Sequence, residues 1–197
     1  MPAKPRAART DEYSVFETLK ARGVAVLPFA TTVADVDVVG IPAFFVMRHA
    51  TRPPERTMIT KYGDIARVLA HAAQKKSAGF FMQRCIAGHE VACGVIVSGK
   101  KTMPLVPVEI IPRSLHESGP WHMKGAVADA VQVVAKAAHK AVGGKKYSCV
   151  RLIVEGTTPY VTAVDIAPPL TRTGLFMRSA EVAGFTHAEI KEQVGSV

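Results

Sequence analysis

Residues 125–166, GAVADAVQVVAKAAHKAVGGKKYSCVRLIVEGTTPYVTAVDI, decide the fold class. Val127, Val131, Val134, Ala138 and Val142 recur at close to 3.6-residue spacing, which predicts a helix over 125–142. Gly143-Gly144 stops it, because glycine takes the left-handed conformation of a helix C-cap without a Cβ penalty. Two apolar runs follow at 147–154 and 160–166, separated by 155–159, and they read as a hairpin. A helix leading into an antiparallel hairpin is the unit of a mixed fold, not of a doubly wound parallel sheet.

The pattern repeats outward from there. Upstream, a helix starts at Asp11 and stops at Gly23, residues 24–29 (VAVLPF) and 43–47 (AFFVM) are strands, and 56–60 (RTMIT) is strand-like by alternation. Ile65, Val68, Leu69 and Ala72 place a helix over 64–73, and 80–82 and 89–97 are strands around Ala87-Gly88. Residues 103–111 (MPLVPVEII) are extended, because Pro104 and Pro107 forbid a helix interior. Downstream, 174–183 and 186–194 are short helices, the second capped by Thr186 with Glu189 at the capping-box position. The expected class is α+β in two layers, after a loose basic arm over 1–10.

The chain has 197 residues, 48 % of them hydrophobic and 21 % charged, which fits a globular protein and excludes a disordered or fibrous one. No apolar run is long enough for a spanning helix, so no membrane partner is expected. The net charge of +9 favours acidic partners, nucleic acid among them. Three cysteines, Cys85, Cys93 and Cys149, make an odd count without a CxxC pair, so packing in a reducing compartment is expected rather than disulfides or zinc. That compartment is cytoplasmic by default, with a mitochondrial location as the alternative that Lys4, Arg6 and Arg9 in an acid-free arm suggest.

Motifs for phosphate loops, dinucleotide folds, zincins and serine hydrolases are absent. His116 and His122 flank Trp121 and read as surface residues more readily than as metal ligands. Glu109 on an apolar strand needs a partner or an exposed edge. Asp165, before Ala167-Pro168-Pro169, fits turn initiation as well as metal binding. From these residues alone no activity follows.

Four segments in order give a resemblance. Residues 81–94 (FMQRCIAGHEVACG), 104–112 (PLVPVEIIP), 163–175 (AVDIAPPLTRTGL) and the closing SAEVAGFTHAEI resemble the central and C-terminal parts of the D-alanine–D-alanine ligase family of ATP-grasp enzymes. The resemblance runs from Asp11 to the C-terminus and leaves no room for the family's first domain. It implies an ATP-grasp fold, with a small lobe over 11–97 and a C-terminal lobe over 98–197, and, in intact members, a carboxylate–amine ligase that uses ATP and magnesium.

The resemblance also marks where this sequence departs from the family's chemistry. A family magnesium ligand on the strand 147–154 falls on Arg151, and two more fall on Ala163 and Asp165, of which Asp165 alone keeps an oxygen. The arginine that steadies the transferred phosphoryl group falls on Cys149, and two phosphate-gripping lysines fall on Phe16 and Met47. The phosphate loop corresponds to 52–57 (RPPERT), whose two prolines lack N–H donors. The family glycine after Pro168 is Pro169, the substrate serine is Gly174, and the loop over the active site is cut to 113–124.

A residual nucleotide pocket is implied at Gln83, Ile86 and Glu90. Arg48, Arg52, Arg56, Lys61 and Arg151 are anion-binding candidates around the former phosphate site. The expectation is a ligase-like domain without catalytic residues, metal or cofactor, serving as a structural or interaction subunit with a protein partner, a second copy or an RNA-containing assembly. The alternatives are an ATP-binding ligase with an altered site and a non-catalytic anion or nucleotide sensor. Loss of the first domain predicts an open apolar face near Phe16, Phe44, Phe45 and Met47.

Overall fold

The computed structural model describes residues 12–49, 54–110 and 125–195. The chain divides into two compact units: residues 27–87, and the residues up to Val26 together with those from Gly88 onward. This is not the expected division at residue 97. Strand β5 (His89–Ser98) pairs along its length with β8 (Tyr147–Glu155), so it belongs with the C-terminal elements, and the chain enters and leaves the smaller unit on either side of 27–87.

The smaller unit is a four-stranded antiparallel sheet in the order β1-β4-β2-β3, built from Phe29–Ala30, Gly79–Arg84, Ala43–Arg48 and Glu55–Ile59. Helix α3 (Asp64–Gln74) covers one face, as its spacing predicts, with Ile65, Val68 and Ala72 buried against Phe45, Met47, Ile59 and Met82. Phe45 and Phe80 stack with centroids 4.9 Å apart. A 3-10 turn, Val33–Asp35, runs into the four-residue α2, Val36–Val39.

In the larger unit the sheet runs β6-β5-β8-β9, with β6 at Lys101–Pro104 and β9 at Thr158–Asp165, and β7 (Val108–Glu109) also pairs with β5. Helix α1 (Glu12–Ala21) touches α4 (Ala126–Ala141). One sheet face meets α4, where His139 bonds Ser148 of β8; the alternate residues Ala92, Ile96 and Cys149 meet α5 (Leu175–Val182) and α6 (His187–Gly195). Gly94 lies under α5, where a Cβ would come within 2.7 Å of the Leu105 side chain and 3.1 Å of the Phe176 ring. Gly143, at φ 71°, ends α4, and its N–H and that of Gly144 take the Lys140 and His139 carbonyls at 3.1 and 2.8 Å.

Three expectations need correction. Of the strand expected over 24–29, the structure keeps β1 and a single bridge from Val26 to Val161, because Pro28 has no N–H for a ladder. The extended run 103–111 is broken into β6 and β7 by its prolines. The apolar face expected to lie open is not open: Phe45 and Met47 are buried in the smaller unit's core, Phe16 is buried and Phe44 is half-buried. Residues 113–124, His116 and His122 lie outside the described residues.

Candidate functional site

The β8–β9 register places the positions that the resemblance assigns to metal ligands. Arg151 faces Ala163 across the ladder, and Cys149 faces Asp165. On the other side of β8, Arg151 faces Ala92 and Ile153 faces Glu90. Residues directly opposite one another point to the same face, with Cβ atoms about 4.5–5.5 Å apart. Glu90, Arg151, Ala163 and Asp165 therefore share one face of the larger sheet. The pairing shifts between Arg151 and Leu152, leaving Thr162 unpaired, a β-bulge of the kind that re-aims neighbouring side chains.

The chemistry on this face is mixed in sign. The Arg151 side chain is exposed, with no hydrogen bond or ion pair to another described residue. Asp165 Oδ1 accepts the N–H of Ala167 at 3.1 Å, the turn that its sequence context suggested. Cys149 is buried; burial first, then the Asp165 charge, pushes its thiol up to about 12, so it carries no thiolate at neutral pH. Cys93 is raised further, again chiefly by burial, and its Sγ lies 3.3 Å from the Leu105 carbonyl oxygen. All three cysteines are free.

Gln83 and Ile86 belong to the unit 27–87, and Glu90 to the other. Gln83 sits on β4 between Phe29 and Phe44 of the flanking strands, 4 % exposed, and its side-chain Nε2 has no hydrogen-bond partner. An amide donor left buried and unpaired costs about 1–3 kcal/mol, so its environment suits an incoming acceptor. Glu90 is exposed. Arg48, Arg56 and Lys61 lie in the smaller unit, at the end of β2, on β3 and just after β3, while Arg151 lies in the larger; Arg52 is outside the described residues. Glu109 does have a partner: its carboxylate lies 2.8 Å from His89 Nδ1.

No family model matches the chain. Among curated proteins it is similar to the D-alanine–D-alanine ligase of Leptospira interrogans, 29 % identical over 125 residues covering 55 % of this chain and 36 % of that protein. It is also similar to D-alanine–D-alanine ligase A of Bacillus cereus, 21 % identical over 123 residues covering 57 % and 40 %. The D-alanine–D-alanine ligase of Bacillus anthracis complexed with ATP superposes with TM-score 0.74 at 18 % identity, over 93 % of this chain and 64 % of that one. The ligase of Coxiella burnetii does so with TM-score 0.75 at 17 % identity, over 93 % and 54 %. The chain has the ATP-grasp fold of the D-alanine–D-alanine ligases. It spans about two-fifths of the length of the curated ligases it matches.

Within this ligase fold the donor set does not suit magnesium. The ion takes oxygen ligands in a tight octahedron. On the β8–β9 face the three positions that the resemblance marks as ligands offer a guanidinium, a methyl group and one carboxylate that accepts a nearby backbone N–H. Among the described residues no group of three or more His, Cys, Asp or Glu side chains is arranged to hold a metal. Two basic pairs escaped the sequence reading, although each is spelled out as a Gly-Lys-Lys triplet, at 99–101 and at 144–146.

Proposed function

We propose that the chain is a D-alanine–D-alanine ligase-like domain that does not catalyse ligation and serves as a structural or interaction subunit of a larger, RNA-containing assembly. The observation that carries this reading is the facing pair Arg151 and Ala163 beside Asp165. ATP-grasp ligation makes an acyl phosphate from a carboxylate and a polyphosphate, and the transferring group needs fixed positive charge held by metal and donors at its own position. A guanidinium where a ligand oxygen belongs repels the metal. Removing one preorganised donor already costs about 100–1,000-fold. Here the ligand, the lysine positions Phe16 and Met47 and the arginine position Cys149 have all changed, and those three side chains are buried. The sheet, helices and cores are kept.

The test is thermal stabilisation by Mg-ATP with phosphate release in the presence of D-alanine. The expected result is no stabilisation at millimolar nucleotide and no release. Release dependent on D-alanine would overturn the reading.

A second reading, an ATP-binding ligase with an altered site, is favoured by the unpaired Nε2 of Gln83. It requires a thermal shift with Mg-ATP that Glu90→Ala or Gln83→Leu abolishes.

A further inference from the structure

The two Gly-Lys-Lys triplets meet at one end of the five-stranded sheet. Ser98 pairs with Lys101 where the β5–β6 turn closes. On the other side of β5 the N–H of Val97 donates to the Lys146 carbonyl at 2.7 Å. Lys101 and Lys146 thus flank the same end of β5, roughly 10 Å apart at two strand spacings. Lys100 lies in the turn, Lys145 precedes Lys146, and Lys140 stands in the last turn of α4, which the Gly143-Gly144 cap joins to them. All five lysines are exposed.

Nothing in these elements offsets the charge. From Val91 to Val108 and from Ala130 to Val154 the sequence holds no Asp or Glu. Among the described residues no carboxylate pairs with any of the five, and Lys146 Nζ reaches the Val194 carbonyl at 3.5 Å. Asp165, at the same end of β9, accepts the Ala167 N–H and keeps its charge, so the five lysines outnumber that one carboxylate. Gathering five like charges costs self-repulsion that a polyanion relieves.

The composition points to the kind of polyanion. Protein interfaces are enriched in aromatic residues, methionine and arginine and depleted in lysine. The segments here supply glycine, serine and lysine. A nucleic-acid backbone accepts lysine as a point charge on an open surface and releases counterions when it binds. We propose that Lys100, Lys101, Lys140, Lys145 and Lys146 form a docking surface for the phosphate backbone of nucleic acid. This rests on the reading of the chain as an interaction subunit and names the surface that makes the contact; it does not depend on whether the ligase site turns over.

The experiment is fluorescence anisotropy of the full chain with short single-stranded RNA and DNA oligonucleotides, at about 50 and 200 mM salt, with poly-glutamate as competitor. Replacing Lys100, Lys101, Lys145 and Lys146 together by Gln should weaken RNA binding about tenfold or more at the lower salt. It should also lower the log–log salt slope by about 3, at about 0.7 for each lost contact to a single strand. The control replaces the exposed Arg22, Lys75, Lys76 and Arg172 by Gln and removes the same charge, and it should leave most of the affinity. Equal losses in the two sets would reduce the effect to net charge and overturn the surface while leaving RNA as a partner. Absence of RNA and DNA binding by the parent chain would overturn the surface and the RNA part of the functional reading together. Displacement of RNA by poly-glutamate at equal charge would assign the surface to an acidic protein instead. Preference between RNA and DNA tells which backbone it serves, and a melting temperature matching the parent certifies each variant as folded.

Discussion

Ser179 has no exposed surface, and its hydroxyl joins three segments: it accepts the N–H of Gly94 at 2.9 Å and donates to the Val106 carbonyl at 2.6 Å. Ser179→Ala strands the buried Gly94 N–H and the part-buried Val106 carbonyl at about 1–3 kcal/mol each, so urea unfolding should show a loss of about 2–6 kcal/mol. His139 is the second buried polar residue with consequences. Burial holds its imidazole below the usual range, against the smaller opposing pull of the Gly144 backbone, and Nδ1 lies 2.8 Å from Ser148 Oγ. The unfolded chain therefore takes up a proton that the folded chain refuses. Stability from this residue is complete above the unfolded value of 6.5 and is lost as pH falls toward the folded value. Melting temperature should drop between about pH 7.5 and 5.5, and the drop should be smaller in His139→Gln. At the ligand positions, Arg151→Asp with Ala163→Glu would set three carboxylates beside one another in the observed register. Calorimetry should then detect Mn²⁺ or Mg²⁺ binding that the parent lacks; a double variant that folds and binds neither would show that register alone does not make the site. The turn made by Asp165 was legible because its partner is two residues away. Ser179 was not, because Gly94 and Val106 become its neighbours only through the sheet.

Among the elements, those whose stop signals are local could be read directly. The α4 cap, the β8–β9 hairpin and the start of α6 all follow from residues within a turn of the boundary. Thr186 and Glu189 form the reciprocal capping box: Glu189 N–H donates to Thr186 Oγ1 at 3.2 Å, and Thr186 N–H to Glu189 Oε2 at 2.7 Å. Those bonds hold the Glu189 carboxyl below its usual range. Thr186→Ala should cost about 0.5–2 kcal/mol, read from the chemical denaturation midpoint, with Thr186→Ser restoring most of it. The short helix at Val36–Val39 was not legible, because valines at 33, 36, 38 and 39 fit neither helical nor alternating spacing and valine itself favours strands. The strand expected over 24–29 failed for the opposite reason: five of its six residues are apolar, and one proline decides where pairing begins.

For the molecule as a whole, composition and element order were enough for the α+β class, and the ligase-like segments for the fold. The division into units was not readable, because it is set by the pairing of β5 with β8 across the whole of α4. Each unit has its own core, around Phe45 and Met82 in one and around Phe176 and Met177 in the other. Hydrogen exchange of Ser179→Ala should therefore accelerate at β5 and α5 while the amides of β2 and β4 keep their protection. Uniform acceleration would mean that the two cores open together. No described helix is long and apolar enough to cross a membrane.

The points where the chain departs for residues 27–87 and returns are both fixed on the larger sheet. Val26 bridges Val161 of β9, and Gly88 lies so close to β8 that a Cβ would come within 2.5 Å of the Val154 carbonyl oxygen. About three strand spacings separate the two anchors, some 15 Å. A tether of roughly six extended residues covers that gap. Residues 27–87 are thus an insertion between two nearby anchors, and a glycine–serine graft joining Val26 to Gly88 would let the remaining scaffold be made, and its loads assigned, without them.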